Sequence, residues 1–139
     1  MLDPFSSLAQ KKGFIATLFK MIEADQRLHP RELEYIFEAG NQIGFDRESI
    51  IEIGENVEAH PLIIPPDESQ RITMLYYLLF LMRIDGTINP NEEIFAKMFG
   101  FKIGFSQLMV DDLVNVMKEH VNKRLPDDVL LENVRKYLN

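Results

Sequence analysis

Apolar residues recur at helical spacing along almost the whole chain, while strand-like alternation is nearly absent. Phe14, Ile15, Leu18, Phe19 and Ile22 follow the i, i+1, i+4, i+5, i+8 spacing of one helix face. His29-Pro30-Arg31-Glu32 opens a second helix, where proline supplies a fixed φ and Glu32 complements the positive end of the helix dipole. Leu33, Ile36, Phe37 and Gly40 line its inner side, and Gly44 stops it. Asp46 reads as the N-cap of a third helix, with Ile50, Ile53, Val57 and His60 on one stripe. Three prolines within residues 61–66 exclude regular helix and mark a connector.

Asp67-Glu68-Ser69 starts a fourth helix, apolar almost all round from Ile72 to Met82, as a surrounded helix should be. Asn89-Pro90-Asn91-Glu92 starts a fifth. Ser106 caps a sixth, carrying Met109, Leu113, Val116 and Met117 on one face. Pro126-Asp127-Asp128 begins a seventh over 126–138, with Leu130, Val134, Tyr137 and Leu138 facing inward. The expectation is an all-α, single-domain protein spanning 1–139, with about seven helices.

The second part of this pattern repeats the first at an offset of 60 residues. Asp25 falls on Asp85, Pro30 on Pro90, Glu32 on Glu92, Gly40 on Gly100, Ile43-Gly44-Phe45 on Ile103-Gly104-Phe105, and His60 on His120. Eight identities in 36 ungapped positions compare with roughly two for unrelated sequence, which argues for internal duplication. The halves are then about 10–60 and 70–120, each a three-helix unit, with the seventh helix added. One irregularity stands out. The inner residues Leu33, Ile36 and Phe37 fall on Glu93, Ala96 and Lys97, while the apolar residues of the second copy are Ile94, Phe95, Met98 and Phe99. Rotated faces or an inserted residue would explain this, and Glu93 becomes a rival to Glu92.

Composition narrows the function. A net charge of −7 repels phosphate backbones, and Lys118 to Arg124, the best basic stretch, holds only three basic residues, so no nucleic acid is expected. As a helix, the 11 residues from Ile72 to Met82 cover about 16 Å, roughly half a bilayer core, so no membrane span is expected. The absence of cysteine excludes disulfides and thiolate metal sites. With no signal-peptide pattern at the start, it makes the cytoplasm the expected location.

Chemistry could reside in two carboxylate pairs, Asp25 with Glu32 and Asp85 with Glu92. Each aspartate ends one helix and each glutamate sits in the first turn of the next, so a short connection folds them together. Hard cations such as calcium or magnesium take such oxygen ligands, and two copies could supply four carboxylates. The competing reading makes them helix caps and dipole partners. An EF-hand reading of Asp85-Gly86-Thr87-Ile88 through Glu92 fails, because its first and third ligand positions would be Leu81 and Arg83. His60 and His120 fit helix C-termini, and His29 a helix start. No Gly-x-Ser-x-Gly setting or Gly-rich phosphate loop occurs.

A helix ending in Ala24-Asp25 or Ile84-Asp85-Gly86, a short polar loop, then Pro30-x-Glu32 or Pro90-x-Glu92-Glu93, resembles the tellurite-resistance TerB-like family over roughly residues 10–122. Gln26 departs from that pattern, standing where the second copy has Gly86. The resemblance implies a seven-helix, internally duplicated bundle, and it implies that Asp25, Glu32, Asp85 and Glu92 match acidic positions proposed to bind metal. The family name comes from a resistance phenotype. It implies a stress setting, not that this chain handles tellurite. The expected activity is non-catalytic binding, with a protein partner and homo-oligomers as an open alternative. The alternative class is a metal-dependent hydrolase using the same carboxylates, which would need an open coordination position beside a pocket.

Overall fold

The computed structural model describes residue 5, residues 7–24, 29–84 and 86–119. These form six α-helices: α1 (Leu8–Glu23), α2 (Pro30–Gln42), α3 (Arg47–Glu55), α4 (Glu68–Arg83), α5 (Pro90–Lys102) and α6 (Gln107–Glu119). A 3-10 turn, Val57–Ala59, follows α3. No strand occurs among the described residues, and none of their helices is long and apolar enough to cross a membrane. The expected seventh helix, 126–138, lies outside the described residues, as does His120.

Caps set the helix starts. The Asp46 carboxylate accepts from the Ser49 amide at 2.8 Å, Asp67 from Ser69 at 2.8 Å, Asn89 from Asn91 at 2.8 Å, and Ser106 from Met109 at 3.2 Å. His29 caps α2 through Nδ1, 3.2 Å from the Arg31 amide, ahead of Pro30. Both α2 and α5 end the same way. Gly44 and Gly104 take φ of 105° and 101°, and the next amides, Phe45 and Phe105, return to the carbonyls of Gly40 and Gly100 at 2.9 and 3.0 Å. That bond closes the turn, and the left-handed residue it needs is glycine's at least cost.

All six helices start in pairs 60 residues apart, and the first two pairs also end 60 apart. Packing follows suit: α1 meets α2 and α3 as α4 meets α5 and α6, α2 meets α3 as α5 meets α6, and α1 meets α5 as α4 meets α2. A β-carbon on Gly40 would stand 2.5 Å from Ile50 Cδ1, and one on Gly100 2.6 Å from Val110 Cγ2. Both second helices therefore cross their third helices at close range. Position by position, 31–40 and 91–100 show the same sequence of buried, half-buried and exposed residues. No residue is inserted and no face is rotated.

Three expectations need correction. The third helix does not run to His60: Gly54 and Asn56 end it at Glu55, with Asn56 Nδ2 donating to the Glu52 carbonyl at 3.0 Å. In α6, Val114 and Val116 occupy the matching places and the helix continues to Glu119. Nor is Ile72–Met82 the most enclosed segment. Ile72, Thr73, Tyr76 and Phe80 are half-buried, whereas Gly13 to Phe19 are buried without a break. The 3-10 turn packs on α1 and not on α4, and covers its remaining side. Finally, Ile94 and Met98 do not face inward. They are 56% and 65% exposed, and α5 buries Glu92, Ala96, Phe99 and Gly100 instead.

Candidate functional site

Glu32 and Glu92 are the only charged side chains buried among the described residues, at 1% and 2% exposure. Each is the third residue of its helix, after Pro30-Arg31 and Pro90-Asn91. That is the place from which a capping-box glutamate reaches back to the N-cap amide. Here it also turns inward beside the core positions Ile36 and Ala96, one helical turn on. A carboxylate taken out of water needs hydrogen-bond donors or a compensating charge, and otherwise it protonates.

The rival Glu93 has a different setting. Its side chain, 19% exposed, meets Lys118 Nζ at 2.6 Å and Lys97 Nζ at 3.3 Å, and Lys97 also reaches Asp111 at 3.5 Å. Partial burial works to raise the Glu93 pKa, but the hydrogen bonds from Lys118 and Lys97 outweigh it and hold the carboxyl below the usual range. Glu93 ties α5 to α6. Glu92 holds the place that Glu32 holds in the first half.

Asp25 and Asp85, the other two expected ligands, lie outside the described residues. The helices carrying Glu32 and Glu92, α2 and α5, do not pack against each other. Among the described residues, no three histidine, aspartate or glutamate side chains gather in a way that could hold a metal ion. Leu81 is buried and Arg83 lies in the last turn of α4, so neither belongs to a calcium loop. Of the histidines, His29 is an N-cap acceptor. His60 follows the 3-10 turn with Nε2 3.3 Å from Glu52 Oε2.

Beside the start of α2, Arg31, Glu34, Tyr35, Glu38 and Ile84 line an open pocket of ≈ 190 Å³. Tyr35 donates to the Tyr77 carbonyl at 2.9 Å, and Tyr77 donates to Gln42 Oε1 at 3.0 Å, joining α2 to α4. Burial pushes the Tyr35 phenol well above its ordinary pKa, and Tyr77 and Glu38 add to the effect. It is therefore a protonated hydrogen-bond donor at neutral pH.

The exposed face of α5 is the feature that spacing alone misassigned. Ile94, Met98 and Phe101, at i, i+4 and i+7, form one stripe, with Phe101 42% exposed. The same places on α2 hold Glu34, Glu38 and Asn41, all exposed. Leu108, 70% exposed near the start of α6, matches Glu48. The signal was present at the 60-residue offset, as a switch from polar to apolar at matched positions. Comparison with family models, with curated proteins and with solved structures finds no match to this chain.

Proposed function

We propose that this chain is a TerB-like interaction protein, made of two copies of one three-helix unit, that acts by binding and not by catalysis. Support for the two-copy reading comes from the common offset of helix starts and the paired packing of the helices. The observation that carries the function is the stripe Ile94-Met98-Phe101, exposed where its counterpart is Glu34-Glu38-Asn41. α2 adopts the same burial pattern with a polar face, so the helix arrangement does not demand apolar residues there. Apolar anchors at i, i+4 and i+7 suit a helix laid alongside. Lys102, exposed, flanks the stripe on one side, which favours an amphipathic partner helix with acidic residues along that edge. Lys97, on the other side, is already engaged by Glu93 and Asp111.

Calorimetry with a designed helical peptide, leucine stripe and glutamate flanks, tests this. The peptide should bind, Met98→Glu should weaken it at least tenfold, and lysine flanks should weaken it with a difference that salt narrows. Equal binding of both peptides, or of neither, would sink the proposal. A dimer in sedimentation that Met98→Glu disperses would make a second copy the occupant instead.

A second reading assigns Asp25, Glu32, Asp85 and Glu92 to a calcium or magnesium site, supported by the burial of two matched glutamates. Millimolar calcium or magnesium should then raise the melting temperature, since a ligand held only by the folded state stabilises it. Glu92→Gln and Asp85→Asn should each abolish the shift. No shift in the unsubstituted chain would leave these residues as helix caps.

A further inference from the structure

A groove of ≈ 370 Å³ lies where the start of α1 meets the end of the first half, with Leu8, Ala9 and Lys12 facing Ala59, His60, Pro61 and Ile63. Its floor is fixed. A β-carbon on Gly13 would stand 2.3 Å from the Pro61 carbonyl oxygen, so the connector rests directly on α1. Thr17 Oγ1 donates to the Gly13 carbonyl at 2.8 Å one turn further on. The walls are apolar and open to water, with Leu8 59% and Ile63 39% exposed.

The charge in the groove has one sign. Among the described residues no carboxylate lines it, although the chain carries seven more acidic than basic residues. His60 Nε2 lies 3.3 Å from Glu52 Oε2. Lys12 is half-buried and forms no ion pair among the described residues. The first turn of α1 holds no acidic residue, so the positive end of its dipole adds to Lys12. The matching end of α4 differs, with Glu68 in place of Leu8 and Ile72 in place of Lys12. A cation in an apolar cleft is therefore no requirement of the helix arrangement.

We propose that this groove binds a small hydrophobic anion, a monocarboxylate with a short alkyl or aryl tail. The carboxylate meets Lys12, and the tail lies over Leu8, Pro61 and Ile63. The volume falls at the small end of the range for small-molecule sites, about 300–1,000 Å³, which fits one short chain and not a two-chain lipid. Hydrophobic burial supplies the affinity and the lysine selects the head group. The site is separate from the α5 stripe and from the buried glutamates, so it stands or falls independently of them.

Calorimetric titration of the full chain with hexanoate, octanoate, octanol and octylammonium tests it. Octanoate should saturate one site per chain and bind more tightly than hexanoate, by up to about fourfold per added methylene. Octanol should bind several-fold more weakly, and octylammonium not at all. Lys12→Met should erase the preference for octanoate over octanol. Lys12→Gln provides a second variant should the first fold poorly, with circular dichroism as the check. Non-saturable octanoate uptake, equal binding of octanoate and octanol, or a Lys12→Met variant that still prefers octanoate would each overturn the proposal. So would loss of octanoate binding in Met98→Glu, which would place the anion on α5.

Discussion

An alanine at Gly100 would bring its methyl 2.6 Å from Val110 Cγ2 and 3.1 Å from Cγ1, closer than packed carbons stand. Overpacking of this kind costs about 1–3 kcal/mol. Gly100→Ala should destabilise the protein by that amount in urea denaturation, and Val110→Ala should destabilise it by removing buried methyls. Combined, the two should cost clearly less than their sum, because the new methyl fills the space the valine vacates. Simple additivity would mean that the crossing relaxes in some other way. At the acidic caps, hydrogen bonds from Ser49 and Ser69 hold Asp46 and Asp67 below the usual carboxylate range. A folded pKa below the unfolded value of about 3.9 gives stability that is complete above that value and lost as pH falls through the folded one. Asp46→Asn with Asp67→Asn should therefore flatten the loss of stability below about pH 4 and change little at neutral pH, since asparagine still caps. An unchanged acid slope in thermal melts would show that these two carboxylates do not drive it.

At the scale of elements, α2 and α5 present one burial pattern with two different solvent faces. Exchanging the exposed residues of α5 for those of α2, as Ile94→Glu, Met98→Glu and Phe101→Asn, should leave stability within about 0.5 kcal/mol per substitution. Chemical denaturation measures this, and a large loss would show that the stripe serves the fold and not a partner. The same comparison explains a limit of periodicity. Ile94, Phe95, Met98 and Phe99 make a good apolar face on a wheel, yet only Phe99 is buried and Phe95 half-buried. Helical spacing says which residues share a side. It does not say whether protein or solvent lies against that side.

For the whole molecule, the halves meet through α1 with α4, α1 with α5 and α2 with α4, so the core is shared between them. Chains cut at the connector, 1–66 and 67–139, should each lack a cooperative thermal transition, because each exposes apolar surface that the other covers. Mixing them should restore helical circular dichroism and a single melt. A cooperative transition in 1–66 alone would make the first half self-sufficient and contradict the shared core.

Local chemistry was legible without coordinates. Asp46, Asp67, Asn89 and Ser106 cap where the sequence placed them, because a cap bonds an amide only two or three residues away. Gly44 stops its helix where expected, because a positive φ is a property of one residue. The all-helical class followed from spacing that needs no tertiary partner. Contacts between distant segments decided the rest. Glu93 gains Lys118 only because α6 brings that lysine to its side of α5, beside the Lys97 that α5 itself supplies, whereas Glu92 is buried. Gly13 to Phe19 became the most enclosed run because the 3-10 turn and connector fold back over α1. The groove at Lys12 joins residues about fifty positions apart. One-dimensional pattern fixes which groups a helix offers, and packing fixes which of them are left facing water.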